Sequence, residues 1–389
     1  MDRFEFMSPT KFILDQDADK LCGQEIKQYS DNVLFVHYGD KYTYDSGLYQ
    51  RIVDALTEAG VTCFELPGVE PNPKVDLVRK GVDLCRQEQI GCVLAVGGGS
   101  VIDTAKAVAI GAKYDGDVWD FYTKKAVPQA ALPIGTVMTL PATGSEGSNG
   151  SVLTNPGTGE NLDVMTELLR PSFTLMNPEL TLTIPKRQTG FGIIDMFSHV
   201  LERYFSSSTD TVLTDHLCEG VMKSIIENSR KLMADLQDYN TRAEFMWTAI
   251  IAHNGLLATG RNQDWATHAI GAQLSAQYNA VHGATLSVLF PCWAAYVCEA
   301  NLPRFVQFAN RVFDVEVDFY DQKQTALEGI RRLRAFFGSV GGPETLADIG
   351  VDSDEKFLQM AGDACRFGSI GGLKQLDAKD VENIYRLAL

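Results

Sequence analysis

The apolar residues of this chain change period once, near residue 185, and that change limits the folds open to it. Up to residue 184, short apolar runs alternate with amphipathic stretches. Val33–Val36 (VLFV), Val61–Glu65 (VTCFE) and Cys92–Val96 (CVLAV) read as strands, and Tyr49–Ala59, Val75–Gln89 and Val101–Ile110 as helices. Further strand-like runs follow at Leu132–Leu140 and Phe173–Met176. Such alternation predicts a doubly wound, mostly parallel sheet. Beyond Ile184–Pro185, strand signals nearly vanish. Thr189–Tyr204, Asp215–Leu232, Arg242–Leu257, Asp264–Gln277, Thr285–Ala300, Leu302–Val312 and Gln324–Phe337 all carry a helical period. The expectation is an α/β domain over residues 1–184 and an all-helical domain over 185–389.

Composition narrows the partners. A net charge of −16 argues against nucleic acid or an anionic membrane surface. No apolar run approaches the roughly 20 residues that span a bilayer, and MDRFEFMSPTKF lacks the apolar core of a signal peptide. The eight cysteines are scattered without a CxxC pair, which in so long a chain favours reduced thiols and a cytoplasmic setting.

Two groups of residues carry chemistry. The first is AVGGGSVIDTAKA (Ala95–Ala107), where Gly97, Gly98 and Gly99 join a strand to a helix. Glycines let a backbone approach a phosphate, and a helix N-terminus offers unpaired N–H groups. Ser100 is placed to act as N-cap and phosphate donor together. The sequence is neither GxGxxG nor a P-loop, so a tight turn without a ligand stands as the alternative. A hydroxyl- and glycine-rich loop, TLPATGSEGSNGS (Thr139–Ser151), and Asn72 in GVEPNP tilt the reading toward a dinucleotide.

The second group is Asp195 and His199, four residues apart on a helix, with His268 and His282 further on. One carboxylate and three imidazoles suit a divalent first-row metal, iron or zinc, in a closed structural site or an open catalytic one. His37, His216 and His253 have no such grouping and read as structural.

With these motifs in order — PNP (Pro71–Pro73), GGGSVID (Gly97–Asp103), TLPATGSE (Thr139–Glu146), DxxxH (Asp195, His199), QDWATH (Gln263–His268) and His282 — the chain resembles the iron-containing alcohol dehydrogenase family, in particular its butanol dehydrogenase-like branch. The resemblance implies the dehydroquinate synthase-like fold: an N-terminal dinucleotide-binding α/β domain and an all-helical C-terminal domain. It implies Fe²⁺ or Zn²⁺ on Asp195, His199, His268 and His282, and the NAD(P) pyrophosphate on Gly97–Ser100. Asn72, Asp103, Thr139 and Thr143 would line the rest of the cofactor groove. The implied reaction is metal-assisted hydride transfer on a small aliphatic alcohol or aldehyde.

Three positions depart from the family pattern. A histidine common four residues after the third metal ligand is Ala272 here, so no catalytic acid or base is assigned. A GGGS-type loop after the first strand of the family is replaced by HYGDKYTYDSG, where Asp40 would hold ribose hydroxyls and repel a 2′-phosphate, favouring NAD over NADP. A lysine found near the nicotinamide ribose aligns with Asn161. Rival readings are a glycerol dehydrogenase- or dehydroquinate synthase-like enzyme, for which Arg261 is the nearest cation, and a degenerate member that binds nucleotide without turnover. Phe197 and Trp265 are expected to line the substrate pocket, and a strand at Thr10–Leu14 to pair across a homodimer.

Overall fold

The computed structural model describes residues 1–389, which gather into two compact units. One comprises Met7–Ile184 and Gln237–Asn254; the other comprises Met1–Phe6, Pro185–Leu236 and Gly255–Leu389.

The α/β unit holds β1 (Lys11–Leu14), β2 (Asn32–His37), β3 (Thr62–Leu66), β4 (Cys92–Gly97), β5 (Ile134–Met138), β6 (Gly150–Asn155), β7 (Glu160–Met165) and β8 (Phe173–Met176). Six strands form one parallel sheet in the order β3-β2-β4-β5-β8-β1, while β6 and β7 form an antiparallel hairpin not foreseen from the sequence. Successive residues of a strand face opposite sides of a sheet. On β2, Leu34 and Val36 join a cluster with Val75, Val78 and Val108, while Val33 and Phe35 join another with Leu48, Ile52 and Leu56. β4 divides likewise. Helices cover both faces, which is why these strands read as unbroken apolar runs.

Strand order reverses between β2 and β4. In open α/β sheets the crevice beyond such a reversal is where ligands bind. The residues delivered there are Tyr38–Asp40, after β2, and Gly98–Ser100, after β4.

The division at residue 185 needs one correction. The helix Tyr239–His253 belongs to the α/β unit, where its Met246 and Ile250 pack on Met138 and Met176. An amphipathic period announces a helix but not which core its apolar face will cover.

The helical unit is organised around Lys186–Tyr204, buried from Thr189 to Tyr204 and flanked by the helices Val212–Ala234 and His282–Val297. A second correction concerns apolar runs. By length and composition His282–Phe313 would cross a bilayer, yet 78% of its apolar window is buried in the protein. Phe290 and Trp293 pack there with Phe205 and Phe305, and that helical core accounts for the hydropathy.

Candidate functional site

In the helical unit, Asp195 and His199 project from one face of the Lys186–Tyr204 helix, as their spacing requires. His268 lies in the first turn of the helix Ala266–Tyr278, and His282 opens the helix His282–Val297. Gly283 is what lets the latter abut the central helix: a Cβ there would stand 2.3 Å from the Phe191 carbonyl oxygen.

Asp195 Oδ1 is the hub. It lies 3.5 Å from His282 Nε2, 3.6 Å from His199 Nε2 and 3.9 Å from His268 Nε2. Donors about 2.1 Å from a tetrahedral ion sit about 3.4 Å apart, so the spacing approaches that of a divalent metal site. The donor atoms of Asp195, His268 and His282 all lie within 4.8 Å of one another, and His199 joins through Asp195. Asp195 Oδ1 and His268 Nε2 are buried without a hydrogen-bond partner. Native proteins rarely leave such atoms orphaned, and a cation here satisfies both. Burial pushes the Asp195 carboxyl up to about 6, and burial beside Arg203 pushes the His268 imidazole down to about 3.

Glu202 was not singled out from the sequence. It follows Asp195 by seven residues and thus shares its helix face, the one signal that could have exposed it. Its carboxylate is fully buried and lies 2.6 Å from His268 Nδ1.

In the α/β unit, the helix after β4 spans Gly99–Gly111 and its N-cap is Gly98. Ser100 is therefore not the cap: it sits in the first turn, because a chain without Cβ at Gly97–Gly99 can begin the helix earlier. That turn is packed against Thr139–Ser151. A Cβ on Gly99 would meet Thr143 at 2.7 Å, and one on Gly98 would meet Leu140 Cβ and the Tyr38 hydroxyl, each at 3.1 Å. The Thr139 N–H donates to the Gly97 carbonyl (3.1 Å).

Asp103 has a different role from that expected. Its carboxylate accepts from Ser145 Oγ at 2.6 Å and from the Val152 N–H at 3.0 Å, so it ties the loop down. Buried Lys106 does the same, donating to the carbonyls of Ser145, Ser148 and Gly150. His253 Nδ1 lies 2.7 Å from the Thr143 carbonyl oxygen, which places the displaced helix Tyr239–His253 behind the loop. Asp40 caps the short helix Lys41–Asp45, its Oδ1 accepting from Thr43 N (2.8 Å) and Thr43 Oγ1 (2.7 Å). Asn72 adopts φ +54° in its turn.

Ala272 lies one turn beyond His268 and supplies no proton-carrying group. Asn161 donates to Thr154 Oγ1 (2.9 Å) within the β6–β7 hairpin. The Arg261 side chain is fully buried, bound to Asp215 at 2.5 Å and to the carbonyls of Arg203 and Thr211. Phe197 packs into the core on Phe336 and Phe337 and does not line a pocket, whereas the Trp265 ring stands against His268 at 4.9 Å between centroids.

Comparison with known proteins gives matches over the whole chain. Residues 9–178 match the iron-containing alcohol dehydrogenase model, and residues 189–389 match the C-terminal model of the Fe-containing alcohol dehydrogenase family. The chain is 44% identical to the probable NADH-dependent butanol dehydrogenase 1 of Bacillus subtilis (strain 168), with all of both proteins covered. It is 32% identical to the NADPH-dependent aldehyde reductase of Escherichia coli (strain K12), over 90% of each. The crystal structure of NADH-dependent butanol dehydrogenase A from Thermotoga maritima superimposes with a TM-score of 0.95 at 36% identity, covering 100% of this chain and 99% of that one. The chain belongs to the iron-containing alcohol dehydrogenase family, in its butanol dehydrogenase-like branch.

Proposed function

We propose that this protein is a metal-dependent, NAD-linked alcohol dehydrogenase or aldehyde reductase acting on small aliphatic substrates. The observation that carries the reading is the convergence of three imidazole nitrogens on buried Asp195 Oδ1 at 3.5–3.9 Å. Asp195, His199, His268 and His282 would hold Fe²⁺ or Zn²⁺, which would supply Lewis acidity toward a carbonyl oxygen, and a bound NAD would supply the hydride chemistry. The protein's own residues bind and orient. His268, held neutral by burial, offers a lone pair instead of a competing charge. Asp195 contributes the negative charge that offsets part of the ion's.

In the α/β unit, the first-turn N–H groups of Gly99 and Ser100 receive the pyrophosphate, and the missing Cβ atoms of Gly97–Gly99 let that turn close on Tyr38, Leu140 and Thr143. Thr139, Thr143 and Asn72 line the cofactor, and Asp103 acts through the loop it holds. Asp40 spends Oδ1 on its helix cap; its other oxygen would be left to accept from the adenosine ribose, and its charge would disfavour a 2′-phosphate. The relatives named above include both an NADH- and an NADPH-dependent protein, so this residue decides for this chain. The lyase-like rival loses its candidate cation, because Arg261 is consumed by Asp215. We further propose a cytoplasmic homodimer joined along the open edge of β1, where Leu14 and Met7 are exposed. Light scattering on a column-purified sample tests the mass.

The activity test is butanal reduction with NADH and with NADPH, on protein stripped of metal and reloaded anaerobically with Fe²⁺ or Zn²⁺. Metal-dependent oxidation faster with NADH is expected. Tight NADH binding without oxidation under either metal would point to the non-catalytic rival, with Ala272 the first position to examine.

A further inference from the structure

One buried carboxylate touches the metal cluster without ligating it. Glu202 Oε1 lies 2.6 Å from His268 Nδ1 and accepts from the His268 N–H (3.2 Å) and from Thr267 Oγ1. Its Oε2 accepts from the Trp265 N–H (2.7 Å), and its own carbonyl accepts from the Asp264 N–H (2.8 Å). Two backbone N–H groups and a hydroxyl already donate to this carboxylate, and an ionised carboxylate only accepts, so a proton on His268 Nδ1 completes the set.

The segment so held is strained. Trp265 caps the helix Ala266–Tyr278 at φ +63° and ψ +8°, a left-handed conformation that a bulky side chain avoids. Three side chains contact its ring. The Arg203 guanidinium lies 4.8 Å over it, while the rings of His268 and His199 approach to 4.9 and 6.0 Å. Such strain persists only where surrounding contacts over-determine it, and here they come from Glu202 and its neighbour Arg203.

We propose that Glu202 is a positioning residue for the metal centre: it fixes His268 as the Nδ1–H tautomer, turning Nε2 toward Asp195, and holds Trp265 at positive φ as a wall beside the ligands. The two tasks are coupled through one side chain, so metal affinity and the placement of Trp265 change together. This rests on the metal-centre reading above. Hydrogen-bonded partners of metal-bound histidines characteristically set the tautomer and the basicity of the ligand.

Two measurements test it. In metal-free wild-type protein labelled with ¹⁵N-histidine, long-range ¹H–¹⁵N spectra should show His268 protonated at Nδ1, the signal assigned by its loss in His268→Asn. An Nε2–H tautomer there would overturn the proposal, whatever the variants do. In chelator competition, Glu202→Gln should bind Zn²⁺ about 10–100-fold more weakly than wild type. Its amide must set an NH₂ against at least one of the donors. Adding Trp265→Gly, which relieves the left-handed strain, should recover melting temperature but not zinc affinity. Recovery of both would reduce Glu202 to a fold-stabilising role. Wild-type affinity in Glu202→Gln sinks this proposal alone, whereas a wild-type protein that binds no zinc sinks the metal-centre reading beneath it.

Discussion

Around Asp195 the chain buries polar atoms and leaves them unpaired; around Gly97–Ser100 it pairs the neighbouring side chains within the protein. Asp195 Oδ1 and His268 Nε2 have no hydrogen-bond partner. Asp103, Asp40 and the Thr143 hydroxyl each have at least one. The helical unit therefore holds a site whose cost is offset only by an ion. The proposed cofactor site in the α/β unit would be made of backbone N–H groups at a turn that lacks Cβ atoms. Removing an atom should damage the first, and adding one should damage the second.

The largest effect is expected at the hub. Asp195→Ala removes the atom that faces all three imidazoles, and a Lewis acid is worth several kcal/mol in the transition state. We expect kcat/KM for butanal to fall by about 10³-fold or more, with metal lost by elemental analysis and NADH binding retained. Full activity with a metal-free Asp195→Ala would end the metal reading.

Gly99→Ala is the counterpart. The added methyl meets Thr143 at 2.7 Å, and overpacking of this kind costs about 1–3 kcal/mol. NADH should bind about 10–100-fold more weakly by fluorescence titration, while metal content stays at the wild-type level. Loss of metal in Gly99→Ala would break the separation between the two sites.

Acid sharpens the comparison. With the Asp195 carboxyl held up at about 6 by burial, a metal must displace a proton below that pH. Zinc affinity should fall about tenfold per pH unit below about 6, one proton being displaced per ion. The metal-free fold responds with the opposite sign. A carboxyl pKa raised above its unfolded value makes ionisation unfavourable to the folded state, so stability contributed below about 4 is lost as pH rises through about 6. Chelator competition and melting curves from pH 5 to 8 check both slopes, and flat profiles would contradict the burial argument.

The smallest effect is a change in preference. Asp40→Ser keeps a competent N-cap but removes the charge. The NADH-to-NADPH ratio of kcat/KM should drop by about tenfold, since repulsion of one 2′-phosphate is worth about 1.4 kcal/mol at this level. An unchanged ratio would reduce Asp40 to the helix cap already seen.

Much of the site was legible because its spacing is local. Asp195 and His199 are four residues apart on one helix, and the glycines sit between a strand and a helix. Glu202 escaped notice although it lies on the same face, because a Glu at helical spacing is ordinarily a solvated charge; only its burial beside His268 distinguishes it. Ser100 was misjudged as the cap because glycine flexibility lets the helix begin earlier than the pattern suggests. Phe197 was misplaced because hydrophobicity does not say which way a buried ring points.

The sequence by itself determined the parallel α/β sheet, the helical C-terminal half and the identity of the candidate ligands, because periodicity and residue chemistry are properties of neighbours along the chain. The tertiary structure decided what depends on contacts between distant segments. It brought His268 and His282 to Asp195 from separate helices, made Asp103 an anchor for the loop Thr139–Ser151, and gave the helix Tyr239–His253 to the sheet. The reason is physical: burial and hydrogen-bond partners are set by which surfaces close on each other, and a linear period carries no record of that choice.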